Sequence, residues 1–551
     1  MKAGASTPPS AAGRIQLLGL AAALVLLAFV IWHSIFLIDD AFISFRYALN
    51  WAEGHGPVYN VGATAPVEGY SNLSWVVLLA LAKLAGAAPE VAAHMLSIAA
   101  AVGTLGLCFL TLTRRFTLDA WSTALGLVAL AGLPAFSVWS TGGLETSLFG
   151  FLLLASWYVL TGARQERELV PGILAGLLGA GLVLTRVEGF LWIGGLFLAA
   201  LIARRDALPW RRLTLFAGIS VAALVAVSLW RHAVYGEWVA NTVHAKAGFS
   251  GATLLRGAKY LATYALCFAW PVVALVSPFL EREVERRRMA LSVLLLVLGA
   301  LVYNLGVGGD WMPFFRFLAP ISAFLAVLLA LGLSRLAQTP RIIAGSAAIV
   351  VALLPLFDLS IVPRSLRESL YFREFRIGYQ TEWQRWDTGV FNTFARTAMG
   401  HAVAQITEEG ESWTGGAIGA VGYYSKLTVL GRNGLVNREV AHREVVAGSS
   451  TAGHEKRVPR VWFRDQAPTY YDFVVMVTPV PPSGPQFDGA IKYVVERIFV
   501  EPGEEQLLEC SVVEAVPLHD IEGLPEGSTM MVVRHVRDRR RAAAFWRRYR
   551  R

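Results

Sequence analysis

Charge is scarce in this 551-residue chain: Asp, Glu, Lys and Arg make up 16% of it, against 55% hydrophobic residues. A typical water-soluble domain carries about a quarter of its residues as charged side chains. With a mean hydropathy of +0.50, the composition excludes an ordinary soluble protein. Cysteine is scarcer still. Cys108 and Cys267 lie in apolar runs and Cys510 in a more polar stretch. Three scattered cysteines give neither a disulfide framework nor a metal knuckle. No clear internal repeat is found. No small-residue cleavage site follows the first apolar run, residues 16–37, which Lys2 and Arg14 precede. That run is expected to be an uncleaved signal anchor.

Long apolar runs dominate what remains. They fall at about 16–37, 90–113, 119–138, 145–162, 170–185, 189–203, 213–230, 256–279, 289–306, 314–335 and 341–358. Residues 73–87 are also apolar but short. If 73–87 does not cross, the loops with Arg114/Arg115, Arg164/Arg167, Arg204/Arg205/Arg211/Arg212, Arg282/Arg286/Arg287/Arg288 and Arg335/Arg341 all share the side of the N-terminus. Positive loops mark the cytoplasmic face. The expectation is therefore eleven transmembrane helices, with 73–87 an interfacial helix. From residue 360 the composition turns polar. The expected division is an all-α polytopic membrane domain over 1–359, an external α/β domain over 360–533 and an arginine-rich tail over 534–551. The tail holds nine arginines and one acid, Asp538, and so accounts for nearly all of the net charge of +9.

The opposite set of loops carries the polar residues that matter. The run of 38–60, "IDDAFISFRYALNWAEGHGPVYN", opens with two adjacent carboxylates at a membrane edge. Across the loops the acids are Asp39, Asp40, Glu68, Glu145, Glu188 and Asp310, and the cations are Arg46, Arg186, Lys246 and Arg316. His55, Tyr59, Tyr70, Asn72, Trp238, Asn241 and Trp311 accompany them. Ionisable groups at membrane depth are costly, so a convergent set marks a site. Arginine and lysine suit phosphate oxygens. Carboxylates suit sugar hydroxyls or remove a proton from one. A lipid-phosphate-linked sugar would use both kinds at a membrane surface. Each residue also has a plainer use. Asp39 or Asp40 could cap the helix that follows. Arg186 and Lys246 could be snorkelling anchors, Trp238 and Trp311 belt aromatics, and "GHG" around His55 a helix end.

The stretch "DDAFISFRYALNWAEGHGPVYNVGATAPVEGYSN" resembles the first external loop of a bacterial group of GT-C membrane glycosyltransferases. That group includes the terminal arabinofuranosyltransferase of mycobacterial and corynebacterial cell walls. The resemblance continues through "STGGLET", "LTRVEG", "YGEWVANTVHAK" and "GGDWMPFFRFLAP" into "GAIGAVGYYSKLTVLGRNGLVNREVAH" and "GHEK". It implies a polyprenyl-phosphate sugar donor, an active site outside the bacterial cytoplasmic membrane and a cell-envelope glycan or glycolipid acceptor. It implies an aspartate base at Asp39 or Asp40, a second carboxylate at Glu145, and interfacial helices over 40–53 and 72–87. The chain has "GRNGL" where relatives often carry an acid, so no role for an acid transfers there.

On this reading Arg46, Arg186, Lys246 and Arg316 hold the donor phosphate. His55, Tyr59, Glu68, Tyr70, Asn72, Glu145, Glu188, Asn241, Asp310 and Trp311 contact sugar or acceptor. No metal or cofactor is called for, and no His/Cys cluster stands in the sequence. The competing expectations are a transporter or flippase of a lipid-linked sugar, or a glycan-binding scaffold. A transporter would place its polar groups near the bilayer midplane, and here they sit at helix ends. In the C-terminal domain a helix is expected over 384–408, and strands at "GGAIGAVGYYS", "LTVLG", "YDFVVMVT" and "TMMVVRHV". The domain could bind acceptor glycan or simply cap the membrane part. The tail could bind anionic lipid headgroups or acidic glycan, or be a solvated, disordered end. Nucleic acid is not an expected partner.

Overall fold

In the computed structural model residues 10–163, 168–245, 250–373, 378–444 and 456–549 are described. Among them six helices are long and apolar enough to cross a membrane: Ala11–Ser34, Pro89–Arg115, Trp210–Tyr235, Val284–Val307, Pro313–Leu333 and Gln338–Phe357. Two further pairs are bent, Ala120–Ala131 with Pro134–Ser140 by 59° and Gly251–Phe268 with Trp270–Leu280 by 95°. Counting each pair as one span gives eight. Three of the eleven expected spans are the shorter helices Thr146–Leu160, Leu169–Thr185 and Gly189–Ala203. At 1.5 Å per residue they reach only about 22–26 Å, less than a hydrocarbon core of about 30 Å. Length and composition thus support six to eight spans. Leu73–Leu84, with 12 residues, is shorter still. Arg164, Arg167, Lys246 and the first three residues of "GHEK" lie outside the described residues.

The membrane helices share a core that includes Leu27, Leu130, Trp157, Phe216, Val293 and Phe324. A second core crosses from that part into the C-terminal domain. It joins Phe36, Phe42, Trp75 and Trp139 to Trp386, Trp413, Ile418, Tyr423 and Phe473. The two parts are therefore packed on each other.

The C-terminal domain is built on a five-stranded mixed sheet in the order β2-β1-β3-β5-β4. The strands are β1 Ser412–Gly415, β2 Thr428–Gly431, β3 Tyr470–Met476, β4 Ser511–Pro517 and β5 Thr529–His535. β1 runs parallel to β2 and β3; β5 runs antiparallel to β3 and β4. Side chains alternate across a strand. On β5, Met530 and Val532 face the core shared with the membrane part. Met531 and Val533 face a separate core under helix Pro485–Ile498, with Phe487, Ile491 and Val494.

The expected helix over 384–408 is Glu382–Ile406, opened by a capping box of Thr381 and Gln384. The expected strands at "LTVLG", "YDFVVMVT" and "TMMVVRHV" are β2, β3 and β5. "GGAIGAVGYYS" is a correction. Only its first residue belongs to β1, and Gly419–Ser425 is a helix. A Cβ on Gly419 would overlap the backbone carbonyl of Asp39, and one on Gly422 would overlap the Tyr59 hydroxyl. The glycines are there for close approach, not for a strand. β4 and helix Pro485–Ile498 were not anticipated.

The arginine-rich segment is also corrected where it is described. Arg534 lies in β5, and Arg539–Arg547 is a helix capped by Asp538. Trp546 is buried, and its indole N–H donates to the Ser511 carbonyl at 2.8 Å. Replacing Trp546 by Ala should cost the C-terminal domain about 3–5 kcal/mol. Hydrogen exchange at 485–498 and 511–517 should accelerate in that variant while the membrane helices keep their protection.

Candidate active site

The helix Asp39–Ala52 follows the first apolar helix after four residues. Its N-cap is Ile38, which offers no side-chain cap. Asp39 is nevertheless a capping residue, for a different helix. Its Oδ1 accepts the Ala420 N–H at 2.9 Å, at the start of Gly419–Ser425. Its Oδ2 lies 3.2 Å from Arg396 on the helix Glu382–Ile406. Asp39 is 5% exposed, and both its oxygens are engaged. Asp40 points about 100° away around the helix and is partly exposed.

Several predicted site residues turn out to hold the two parts together. Arg46 is buried and donates to the Gly422 and Leu427 carbonyls, both at 2.7 Å. Its guanidinium lies 4.1 Å from the centre of the Tyr59 ring. Burial lowers its pKa. The Tyr59 hydroxyl donates to the Ile418 carbonyl at 2.6 Å, and burial pushes its pKa up to about 12. Asn241 donates to the Gly434 and Leu435 carbonyls at 2.6 and 3.0 Å. Glu68 is buried against Arg231, and Tyr70 meets the Tyr235 hydroxyl at 3.1 Å. His55 is exposed past the helix end, its N–H bonded to the Asn50 carbonyl. Among the described residues none of these six hydrogen-bonds to the cluster described next, and Lys246 lies outside them.

Six of the remaining predicted residues converge. Glu145 accepts from Asn72 Nδ2 at 2.8 Å and from Arg186 at 2.8 Å. Arg186 Nε also donates to Glu188 at 2.5 Å. The Arg186 guanidinium lies 5.2 Å from the centre of the Phe317 ring, and that of Arg316 lies 4.9 Å from the same ring. Arg316 Nε donates to Asp310 at 2.7 Å. Phe317, absent from the predicted set, thus gathers two guanidiniums whose acids are on different loops. The 141–145 loop is pinned beside them. Trp75 donates to the Gly143 carbonyl at 3.1 Å, and the Ile38 N–H donates to Gly142 at 3.3 Å. Trp139 packs between Phe36 and Arg316, which places the start of the Asp39–Ala52 helix next to this cluster.

The backbone that presents Arg316 is strained. Phe314 and Phe315 both have left-handed backbone angles, φ 51° and 55°. Such angles in consecutive bulky residues cost of order 1–3 kcal/mol each and persist only when neighbours enforce them. A buried pair does so here. Arg373 binds Glu382 at 2.8 and 2.9 Å and donates to the Trp311 and Met312 carbonyls at 2.9 and 3.0 Å. Glu382 also accepts the Phe314 N–H at 2.6 Å. Trp311 itself lies under Arg385, 4.9 Å from guanidinium to ring centre. Burial and the nearby Arg373 pull the Arg385 pKa down to about 10.

Three carboxylates and two arginines in the cluster do not make a bare cationic hole. The acids fix each guanidinium by its edge. Among the described residues, NH2 of Arg186 and both terminal nitrogens of Arg316 make no hydrogen bond. Those donors can take oxygens of a ligand. Arg373, Arg385 and Arg396, all from the start of the C-terminal part, were missed. Their motif signal is weak, because isolated arginines in a soluble stretch read as surface charge.

The architecture is a set of apolar helices, short helices in the first loop and a C-terminal α/β domain. Two solved structures share it. ArnT from Cupriavidus metallidurans bound to undecaprenyl phosphate has a TM-score of 0.56 at 13% identity, covering 96% of this chain and 99% of that one. The same protein in the apo state gives 0.56 at 13%, covering 95% and 98%. A family described as Domain of unknown function (DUF8728) matches residues 376–507. No curated protein matches.

Arg46→Ala should leave two buried carbonyls unpaired, at about 1–3 kcal/mol each. A fall in melting temperature should follow, and Arg46→Lys should restore little of it, because one ammonium does not reproduce the guanidinium fork.

Proposed function

We propose that this chain is an inverting glycosyltransferase that moves a sugar from a polyprenyl-phosphate donor to a cell-envelope glycan or glycolipid. The reaction takes place on the external side of a bacterial cytoplasmic membrane crossed by about eleven helices. Arabinofuranose is the sugar that the first-loop resemblance favours. The observation that carries the reading is the meeting of Arg186 and Arg316 on Phe317, which Trp139 links to Phe36, a few residues before the Asp39–Asp40 pair. The likeness in fold to a protein that binds undecaprenyl phosphate supports a lipid-linked donor.

In this mechanism the donor phosphate lies against the outward nitrogens of Arg186 and Arg316. An acceptor hydroxyl attacks the anomeric carbon from the face opposite the phosphate. The carbon–oxygen bond to phosphate breaks, and polyprenyl phosphate leaves with the bonding pair. The two guanidiniums meet the charge that develops there. Asp40 takes the hydroxyl proton. Asp40 is chosen over Asp39 because it is partly exposed where Asp39 is buried, so an acceptor can reach it. Asn72, Glu145, Glu188 and Asp310 orient sugar hydroxyls and hold the arginines. The mechanism requires no metal or cofactor.

The test is transfer of radiolabelled sugar from a panel of synthetic polyprenyl-phosphate sugars to envelope acceptors by the purified protein. Asp40→Asn should lower transfer by about 10²–10⁴-fold while the protein stays folded. Asp39→Asn should lower the melting temperature first. Transfer that survives Asp40→Asn would reject Asp40 as the base.

Arg316→Lys, which keeps a charge opposite the buried Asp310, should reduce transfer far more than stability, since among the described residues the terminal nitrogens of Arg316 make no hydrogen bond. Equal loss of both would make Arg316 a structural residue.

A further inference from the structure

Among the described residues, three ligand-type side chains meet away from the cluster around Phe317. Glu237 and His244 lie in the loop region after Trp210–Tyr235. His442 follows the short helix Arg438–Ala441 of the C-terminal domain. Their ligand atoms all lie within 4.8 Å of one another. Glu237 Oε1 is 3.3 Å from His442 Nε2, and Glu237 Oε2 is 3.9 Å from His244 Nε2. The two imidazoles stack with centroids 4.2 Å apart, so both rings present Nε2 toward the same carboxylate. His244 Nε2 is out of contact with solvent and has no hydrogen-bond partner among the described residues.

We infer that Glu237, His244 and His442 form a divalent transition-metal site, with Zn2+ the favoured ion, which clasps the loop of the membrane part to the C-terminal domain. Two imidazoles and one carboxylate are a zinc donor set. Metal–ligand bonds of about 2.0–2.2 Å at tetrahedral angles hold ligand atoms roughly 3.3 Å apart. The Glu237 Oε1–His442 pair has that spacing already; the Glu237 Oε2–His244 pair, at 3.9 Å, is wider and would draw in on binding. An ion there would also give the buried His244 nitrogen the partner it lacks among the described residues. Softer Cu+ wants sulfur, and Mg2+ or Ca2+ wants more oxygens; neither is offered.

Two cations oppose the site, Lys456, whose charge acts on His244, and Arg438, which also shapes it. Arg438 Nε lies 3.2 Å from Glu237 Oε1. Its charge weakens an adjacent cation, yet it fixes the carboxylate and leaves Oε2 directed at His244. Hydrogen-bonded supports of this kind orient ligating side chains. The remaining coordination position would go to water. The site stands beside the Asn241 bonds to Gly434 and Leu435, so metal would reinforce a contact the fold already makes. This inference does not rest on the glycosyl-transfer reading.

The experiment uses the full chain in detergent, freed of any affinity tag and stripped with chelator, then titrated with ZnCl2. Wild type should bind one equivalent with a rise in melting temperature. His244→Ala and His442→Ala should each abolish that equivalent and the rise, while His519→Ala, elsewhere on the surface, keeps both. His442 is exposed, so its variant should melt like metal-free wild type, which separates ligand loss from misfolding. Absence of bound zinc in wild type, or zinc retained in both histidine variants, would overturn the site.

Discussion

Asp39 and Arg46 stand two turns apart on one face of a short helix, and both reach into the C-terminal domain. The relation of the two parts depends on that helix. A charge removed from water costs several kcal/mol unless it is met by an opposite charge or by hydrogen bonds. Asp39 is met by an amide at a helix start and by Arg396. Arg46 is met by two carbonyls at the end of the same short helix. The helix Gly419–Ser425 is thus held at both ends by one element, and its glycines allow the approach.

The same logic governs the cluster around Phe317. Each guanidinium is aimed by a carboxylate and rests on a ring, so it does not need a ligand to hold its orientation. The left-handed residues Phe314 and Phe315 are enforced from outside by Arg373 and Glu382, which sit at the entrance to the C-terminal domain. The domain that looked separable in composition therefore helps to set the geometry of the membrane part. Preorganised donors of this kind act without reorganising as charge develops.

Much of the candidate site was legible in the sequence, because membrane depth makes polar residues conspicuous. Asn72, Glu145, Arg186, Glu188, Asp310 and Arg316 were named from their place at helix ends, and the fold brings them together. Arg46, Tyr59 and Asn241 carried the same signal and serve instead to join the two parts. Residue type and depth are alike in both sets; only the identity of the partner differs. Glu237, His244 and His442 gave no metal signal, since a ligand cluster is recognised by close spacing and these come from two parts of the chain.

The sequence by itself determined where the chain is apolar, where it turns polar and which loops hold ionisable groups. Those follow from transfer free energies that each residue carries with it. It also determined three of the five strands and the long helix near 384, where periodicity and capping are local. Tertiary structure alone decided that Gly419–Ser425 is a helix, that the basic segment packs as a helix beside the sheet, and that Asp39 meets Ala420 and Arg396. Those outcomes depend on what lies within a few ångströms in space, and a neighbour contributed from hundreds of residues away leaves no periodic trace in the segment it changes.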